Sequence, residues 1–464
     1  MDLSSVEEAY VTALCDQVRA AAGNAPNMGI LEKKLEQMAK PCLQAALGRL
    51  VQERAGSVAM RCPRCDTALQ HVEARMRRRT INAKFGKITL ARAYGYCQTC
   101  QAWQYPADAA LALQERAPAS PCVQEICALT TLRDPAINVQ EDTRRMTGID
   151  MDPACIHREA RRQGERALVL RDADTALTGT PQGVAELVKR AVLPTAQFTL
   201  IIQMDAWNIR ERNDWGQTEA LRKAGQEPKR WHWVYTGTVF RLDQRATTAS
   251  GRPVITERGY VATRLGLDAF REQLYAEALQ RGLLQAELVL ILGDGAAWIW
   301  NLAKERFDGA RQRVDLFHVS QHLWAVAHDL HGQGSPDAKA WVAPYLGWLK
   351  QRENGALDVI TSLEQLRDNM TALTSPQREA LEREIGYFTE HKNRMDYKRG
   401  KALEQPVGSG AIESTCAQYQ RRFKLRGQFW SLEGDEAFLA LATLHFNGRW
   451  SRLFPHDEDP KPVA

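Results

Sequence analysis

The chain has 464 residues and a formal net charge of +5, and 44% of its residues are hydrophobic while 25% are charged. This length exceeds one ordinary domain, so we expect two to four domains, each with enough apolar residues for a core. The absence of any run of about 18 apolar residues excludes a membrane-spanning helix. The polar start MDLSSVEEAYV does not have the pattern of a secretory signal. We therefore expect a cytoplasmic protein with no membrane partner.

Residues 1–57 are predicted to form an N-terminal helical region. Apolar side chains recur there at helical spacing: Leu31, Leu35, Met38, Leu43, Leu47 and Leu50. Such a stripe is typical either of an internal core or of a surface that packs against a partner.

Residues 58–107 contain two Cys-x-x-Cys pairs and are predicted to form a zinc ribbon. Each pair places two thiolates on one tight turn, and two pairs supply the four tetrahedral ligands of a structural Zn²⁺ ion. The interval between the pairs is longer than in most zinc ribbons, and a β-hairpin that turns at Phe85-Gly86-Lys87 would fill it. Without a secretory signal, metal binding is favoured over disulfides. The predicted zinc ligands are Cys62, Cys65, Cys97 and Cys100.

The interval between the cysteine pairs is strongly basic. From residue 75 to residue 92 it contains seven lysines and arginines and no acid, and Arg77, Arg78 and Arg79 stand in a row. Clustered positive charge suits a polyanion, so these three arginines are predicted to contact DNA. The alternative is a ribbon that only stabilises the fold and exposes a solvated basic face.

Residues 108–190 are predicted to carry a helix-turn-helix. Two helices are expected at 121–132 and 136–146, and a third begins at Asp152 after a turn that contains Gly148. The third helix is rich in arginine, as a DNA-recognition helix is. Helical hairpins that bind nothing have the same pattern, which is the alternative. The arginines predicted to contact DNA are Arg158, Arg161 and Arg162.

From residue 191 the pattern becomes α/β. Apolar strands are predicted at 198–204, directly before Asp205, and at 288–292, before Gly293-Asp294. The other elements expected are strands at 231–242 and 254–265, a helix at 267–284, a charged helical region at 333–404, and a disordered tail at 455–464.

Three acidic residues lie at the ends of predicted elements. Asp205 and Asp294 each follow an apolar strand, and Glu413 lies near the start of a helix. Carboxylates on separate strands and a helix can converge on one point, where Mg²⁺ or Mn²⁺ would take their oxygens as ligands and support phosphoryl transfer. Taken alone, Asp294 suits an ordinary Asp-Gly turn and Glu413 suits a favourable interaction with the helix dipole.

Other polar residues lie near these acids in the sequence. His318 follows a short strand and is either an ordinary histidine at a helix start or a residue that positions DNA or water. Arg421 and Lys424 fall on the same face of the predicted helix as Glu413, which predicts contacts with phosphates.

Several motifs occur in a fixed order between about residue 60 and residue 450. They are CPRC and CQTC, GDGAAWIW from Gly293, DLFH from Asp315, GSGAIES from Gly408, and RFK followed by Gly427 and Trp430. In these motifs the chain resembles bacterial insertion-sequence transposases of the DDE class, most closely the ISKra-type family. Such proteins often have Asp-Gly at the first acid, whereas Asp205 is followed by Ala206 here.

This resemblance implies an RNase H-like catalytic domain of the α/β class, interrupted by a helical insertion and preceded by the helical region, the zinc ribbon and the helix-turn-helix. The regions implied are 191–332 for its first part, 333–404 for the insertion and 405–454 for its second part, which carries the Glu413 helix.

The resemblance also implies a function and its residues. Asp205, Asp294 and Glu413 would form the metal-binding triad, with His318 in a supporting role. The implied activity is hydrolysis at a transposon end to give a 3′-hydroxyl, followed by attack of that hydroxyl on target DNA. The implied partners are transposon-end DNA and target DNA, and bringing two ends together implies a homodimer or a larger assembly. A catalytically inactive, domesticated DNA-binding protein, or an RNase H-like nuclease that cuts without joining, would fit the same sequence.

Overall fold

The computed structural model describes residues 5–22, 27–251, 253–369 and 373–455. Its fold is mixed α/β, with 56% of residues in helices and 17% in strands. The chain divides into two compact units, one of residues 1–163 with 453–464 and one of residues 164–452. Apart from Pro455, the predicted disordered tail lies outside the described residues. No helix within the described ranges has both the length and the apolar character needed to cross a membrane.

The first unit begins with two helices, α1 (Ser5–Ala22) and α2 (Met28–Gly56). The end of α2 packs through Leu47 and Val51 against an apolar cluster of the following sheet. Earlier in α2, Leu31 and Leu35 are each 43% exposed. The leucine stripe predicted from the sequence is therefore part core and part open surface.

A three-stranded antiparallel sheet follows the two helices. Its strands are β1 (Gln70–Ala83), β2 (Gly86–Cys97) and β3 (Ala102–Gln104), and a short helix α3 (Pro106–Ala110) comes next. Ala83 pairs with Gly86, so the hairpin predicted between the cysteine pairs is confirmed, with its turn at residues 84–85. Gly86 has φ +134, a conformation that favours glycine.

Three helices complete the described core of the first unit: α4 (Pro121–Thr131), α5 (Ala136–Thr147) and α6 (Pro153–Ala176). The Ser120 side chain caps α4, and Gly148 ends α5 with φ +64. Val123, Val139 and Ile156 from the three helices share one buried cluster. The three helices expected from the sequence are confirmed, although α6 is long and crosses the boundary between the two units.

The second unit is built on a mixed five-stranded sheet with a small separate hairpin. The strands are β4 (Thr199–Arg210), β5 (Trp231–Arg241), β6 (Arg245–Thr247), β7 (Pro253–Ile255), β8 (Gly259–Thr263), β9 (Leu288–Gly293) and β10 (Arg311–Val314). The order in the sheet is β10-β9-β4-β5-β8. β4, β5 and β8 are antiparallel neighbours, whereas β9 runs parallel to β4 and β10 parallel to β9. The hairpin consists of β6 and β7.

Two strand predictions differ from the structure. The strand expected at 254–265 is wrong as one element, because β7 closes a hairpin and β8 joins the main sheet. The break follows Thr256, whose backbone N–H still donates to the Gln244 carbonyl across the hairpin, and residues 257–258 connect the hairpin to β8. The strand predicted to end before Asp205 continues to Arg210, because β4 pairs with β5 over this whole length. Asp205 therefore lies within a strand.

Helices cover both faces of the five-stranded sheet. The helices of this unit that follow α6 are α7 (Pro181–Lys189), α8 (Thr218–Lys223), α9 (Leu267–Gln280), α10 (Ala297–Arg306), α11 (Leu316–His331), α12 (Pro336–Gln351), α13 (Gly355–Asn369), α14 (Ser375–His391), α15 (Tyr397–Ala402), α16 (Gly410–Phe423) and α17 (Leu432–Phe446). The region expected to be a helical insertion is confirmed as helical by α12 to α15. Leu200 and Ile202 face a core shared with α9 to α14, whereas Ile201 faces the side of α16.

Asp435 on α17 is a fully buried carboxyl. Burial, followed by the nearby carboxylates Glu211 and Glu436, raises its pKa to about 9, although Arg264 opposes the shift. The pKa of an aspartate in an unfolded chain is about 3.9. The folded protein therefore retains a proton that the unfolded chain releases, and the stabilisation linked to that proton is lost as the pH rises from about 4 to about 9.

We predict that Asp435→Asn reduces this pH dependence, because the amide has the same shape and does not ionise. The thermal midpoint of the wild type should fall more between pH 6 and pH 9 than that of the variant, measured by circular dichroism. Asp329→Asn, at an exposed position of the same unit, is the matched control and should follow the wild type. Equal slopes for Asp435→Asn and the wild type would contradict the assignment.

Candidate metal centres and DNA-contact residues

The four cysteines of the two Cys-x-x-Cys pairs meet at one end of the three-stranded sheet. Their sulfur atoms all lie within 4.8 Å of one another. Cys62 Sγ lies 3.8 Å from Cys100 Sγ, and Cys65 Sγ lies 3.5 Å from Cys97 Sγ. Four thiolates bound at 2.3 Å around a tetrahedral zinc ion would be about 3.8 Å apart. The cluster therefore suits a structural zinc ion, as the sequence predicts.

Local structure holds the cysteines in place. Cys97 ends β2, and the Cys62 backbone N–H donates to the Thr67 carbonyl to close the first turn. Hydrogen bonding to Thr67 lowers the pKa of the Cys65 thiol, whereas the hydrogen bond with Cys65 raises the pKa of the Cys100 thiol. Cys62 and Cys97 are buried, so the cluster is part of the interior of this small sheet.

In the second unit, the sheet brings the first two predicted acids to one edge. The parallel pairing of β4 with β9 ends at Gln203 and Leu292. Asp205 on β4 and Asp294, directly after the end of β9, each lie two residues beyond this last pair, and their charges interact. β9 ends here, whereas β4 continues past Asp205, and the chain after β9 turns at Gly295. Gly295 has φ +108, which only glycine adopts readily.

Asp205 is a partly buried carboxylate that forms no ion pair with a lysine or arginine among the described residues. Its Oδ1 accepts from the Ala206 backbone N–H at 2.7 Å, and its Oδ2 lies 3.8 Å from Cys416 Sγ on α16. Burial raises the pKa of Asp205, and the negative charge of Asp294 adds to the shift. A cation placed between the two carboxylates would offset both the cost of burying the Asp205 charge and its repulsion by Asp294.

Glu413 lies in the first turn of α16, and a network of buried polar groups fixes this turn against β4. The Gln203 side chain donates to the Gly408 carbonyl at 3.3 Å and accepts from the Ile412 backbone N–H at 3.0 Å. The Ser409 hydroxyl donates to Glu413 Oε1 at 3.1 Å. A residue 119 positions after Asp294 along the chain is thereby held against the strand that carries Asp205.

Asp315 and His318 form the next part of this site. Asp315 caps α11 by accepting from the His318 backbone N–H at 3.0 Å, and it also accepts from the Ser409 backbone N–H. Although burial opposes the shift, these hydrogen bonds lower the pKa of Asp315 to about 2. Asp315 raises the pKa of His318, and the charges of Asp294 and Glu413 act in the same direction. His318 therefore lies within electrostatic reach of two predicted metal ligands.

Tyr387 is a site residue that sequence reasoning missed. It lies on α14 of the helical insertion, its ring stacks on His322 with centroids 3.5 Å apart, and a Cβ at Gly295 would lie 3.2 Å from its hydroxyl. The hydroxyl is buried and has no hydrogen-bond partner among the described residues. It is a free donor beside the Asp294 turn. No motif or spacing marks Tyr387 in the sequence, because its position depends on how the insertion folds back.

The ligand atoms of Asp205, Asp294 and Glu413 do not form one compact set in the described part of the chain. Within the described ranges, only the four cysteines form a set of three or more possible ligands with all ligand atoms within 4.8 Å. The described partners of Asp205, Asp294 and Glu413 are backbone amides, a serine and a cysteine, with no lysine or arginine. Carboxylates that pair with no lysine or arginine suit divalent cations, and two ions can be shared by acids that are further apart than the ligands of one ion.

The arginines predicted to contact DNA from the ribbon have different surroundings. Arg77 and Arg78 are exposed. Arg79 is only 10% exposed and pairs with Asp108 at 2.8 Å, while it also donates to the Gln114 and Ala117 carbonyls. Arg79 therefore fastens α3 to the hairpin, and the available positive charge of this row comes from Arg77 and Arg78.

The other predicted DNA contacts lie on two helices. On α6, Arg158 is exposed, whereas Arg161 and Arg162 are partly buried. Arg162 donates to the Glu115 carbonyl at 3.1 Å. At the end of α16, Arg421 and Lys424 are both exposed, and Lys424 Nζ lies 5.7 Å from the centroid of the Trp207 ring.

Comparison with known proteins gives one family match. Residues 262–456, fewer than half of the chain, match the model of UPF0236, described as an uncharacterised protein family. The matched part contains Asp294, His318 and Glu413 together with the helical insertion, but neither Asp205 nor the cysteine cluster. No curated protein gives a significant match to the chain.

We predict that the cysteine cluster binds one zinc ion per chain and that the first unit depends on it. Cys97→Ser should lose this zinc and lower the thermal midpoint of unfolding, because metal binding to a small site contributes directly to folding. Zinc content by atomic absorption and unfolding by circular dichroism check both outcomes. Cys42→Ser removes an exposed cysteine outside the cluster and is the control. A wild-type protein that is equally stable with and without zinc would contradict the prediction.

Proposed function

We propose that this protein is a DNA transposase of the DDE class that binds the ends of an insertion sequence, cuts there, and joins the resulting 3′-hydroxyl to target DNA. The proposal is supported by the charge interaction between Asp205 and Asp294 and by that of His318 with both Asp294 and Glu413. The sheet itself, three antiparallel strands with two further strands added in parallel beside the first, supports the RNase H-like fold that the sequence resemblance implies.

Asp205, Asp294 and Glu413 would hold two Mg²⁺ or Mn²⁺ ions. When bound, such ions activate the attacking oxygen and stabilise the leaving oxygen of a phosphodiester. In the first reaction water attacks phosphorus and the bond to the 3′-oxygen breaks, which leaves a 3′-hydroxyl. In the second, this hydroxyl loses its proton and attacks a phosphodiester of the target, whose own 3′-oxygen leaves.

The residues around the acids have separate roles in this proposal. Asp315 and Gln203 hold the start of α16, so that Glu413 keeps its place opposite the strands. His318, which the surrounding acids favour in its charged form, lies near the scissile phosphate and supports binding of that group. Tyr387 offers its hydroxyl as a hydrogen-bond donor to the DNA backbone beside Asp294.

Exposed basic residues in both units supply contacts with DNA. Arg77 and Arg78 on the ribbon hairpin and Arg158 on the last helix of a helix-turn-helix would bind the transposon end. Arg421 and Lys424, on the helix that carries Glu413, would bind phosphates close to the reacting bond.

Self-association follows from the same proposal, because two DNA ends must be joined in one reaction. The exposed leucines of α2 support a second copy of the chain as the partner. Leu31 and Leu35 are 43% exposed and Leu43 is 40% exposed, which gives one helix an apolar stripe that its own unit leaves open.

The proposal predicts that Asp294→Asn and Glu413→Gln lose chemistry and keep DNA binding. Replacing a residue that only supports a metal ligand typically costs 10–100-fold, so losing a ligand should lower strand transfer at least about 100-fold. The substrate is linear DNA that carries the terminal sequences flanking the coding region, with Mg²⁺, and products are resolved on denaturing gels. Binding is measured by electrophoretic mobility shift.

Asp308→Asn is the matched control, since Asp308-Gly309 is an exposed Asp-Gly turn in the same unit. Full joining activity in either site variant would refute the triad. A wild type that nicks DNA and never joins it is instead a nuclease, and one that binds these ends without cutting is a DNA-binding protein without catalytic activity.

A further inference from the structure

Three tryptophans are exposed to solvent at the start of β5 and in the loop that follows β4. Trp215, Trp231 and Trp233 have 54%, 51% and 52% of their surface accessible. Large aromatic side chains usually bury most of their surface, so three open indoles in one region are unusual. Together with Arg210 and Phe429 they form a surface that we call the aromatic platform.

The platform is held together by specific contacts. Arg210 pairs with Trp231 across the two strands, and its guanidinium carbon lies 5.2 Å from the Trp231 ring centroid and 4.2 Å from that of Phe429. The Trp215 ring meets Phe429 edge-on, with centroids 4.7 Å apart. Trp233 is two residues from Trp231 on β5 and therefore faces the same side of the sheet.

The loop that supplies Phe429 is fixed to β4 by backbone hydrogen bonds. The Trp430 N–H donates to the Arg210 carbonyl at 3.0 Å, and the Arg212 N–H donates to the Trp430 carbonyl at 2.8 Å. Trp430 itself is buried against Phe423, with ring centroids 5.0 Å apart. The exposed rings thus stand on a rigid, buried support.

The charge around the platform is positive. Arg212, Lys229 and Arg230 are exposed beside it. Of the acids in the same stretch, Glu211 is buried and paired with Arg264, and Glu219 is paired with Lys223, while Asp214 accepts from the Lys229 backbone N–H and Glu227 is exposed. Open aromatic rings among cations match the chemistry of single-stranded nucleic acid, whose bases stack on the rings while its phosphates meet the cations.

We propose that the aromatic platform binds an unpaired stretch of DNA by stacking its bases on Trp231 and Trp233. The inference rests on the proposed function, in which DNA is opened at the transposon end or at the target. Arg210 follows Asp205 by five residues along β4, or about 17 Å. About five stacked nucleotides span this distance.

The platform and the carboxylates are separable. Because side chains alternate along a strand, Trp231 and Trp233 face the side of the sheet opposite Asp205, and a bound strand reaches both by passing around the end of β4. Binding at the platform therefore needs no magnesium. Loss of the catalytic acids leaves it unchanged.

The test measures how tightly the protein binds fluorescein-labelled dT20 and a labelled 20-base-pair duplex. Binding is measured by fluorescence anisotropy in magnesium-free buffer. The double variant Trp231→Ala with Trp233→Ala should bind dT20 at least about tenfold more weakly, given the typical loss per stacked base, and bind the duplex within about twofold of the wild type. The corresponding double phenylalanine variant should retain most dT20 binding. Tyr10→Ala, at an exposed aromatic residue of α1, is the control.

Several outcomes would overturn the inference. It fails if the double alanine variant binds dT20 as the wild type does, or if dT20 and duplex binding fall equally. It also fails if only the sedimentation mass changes, since the platform would then be a protein interface. If the thermal midpoints of the variants equal that of the wild type, misfolding is excluded as the cause of any loss of binding. The two proposals can fail separately. If no DNA is ever joined but dT20 binding still depends on Trp231 and Trp233, the transposase proposal is wrong and the inference about the platform is retained.

Discussion

The candidate site of the second unit depends on how the loop before α16 is held. Arg313, Asp315 and Gln203 bind this loop, and we call these three residues the buried clamp. Arg313 on β10 is fully buried and pairs with Asp396 at 2.7 Å, while it donates to the Pro406 carbonyl at 2.9 Å. Asp315 and Gln203 then bind the backbone of the next residues of the loop. A buried charge left without its partner is strongly destabilising, so this clamp has one well-defined arrangement. It returns the chain from the helical insertion to the sheet, where Gln203 and Asp315 fix the start of α16, the helix that carries Glu413.

The site concentrates negative charge where the protein offers no lysine or arginine among its described residues. Burial raises the pKa of Asp205, Asp294 adds to that shift, and His318 lies in the field of the surrounding acids. Such an arrangement is unfavourable for folding on its own and is typical of sites built for a bound cation. The insertion contributes by packing Tyr387 and its helix against the Asp294 turn, so it is part of the site as well as a spacer.

Features carried by short local motifs could be predicted from the sequence. The four cysteines, the hairpin between them, and the turns at Gly148 and Gly295 follow from residue type and spacing. Features that depend on distant partners could not. The end of β4 is set by its pairing with β5, and this is why Asp205 was expected after the strand and lies within it. Asp315 as an anchor, the orphan hydroxyl of Tyr387, and the clustering of Trp215 with Trp231 all depend on tertiary contacts. Arg79 shows how a local pattern can mislead. Its basic row predicts a contact with DNA, but it pairs with Asp108, which lies 29 residues away along the chain.

The central claim is that three acids far apart in the chain bind divalent cations together, and direct location of the ions tests it best. Crystals of the wild type grown with manganese would be measured on both sides of the manganese absorption edge. We expect anomalous peaks in contact with oxygens of Asp205, Asp294 and Glu413, and we expect these peaks to be lost in crystals of a variant that lacks one of these carboxylates. Manganese bound only at other places, with the three carboxylates uncoordinated, would contradict it.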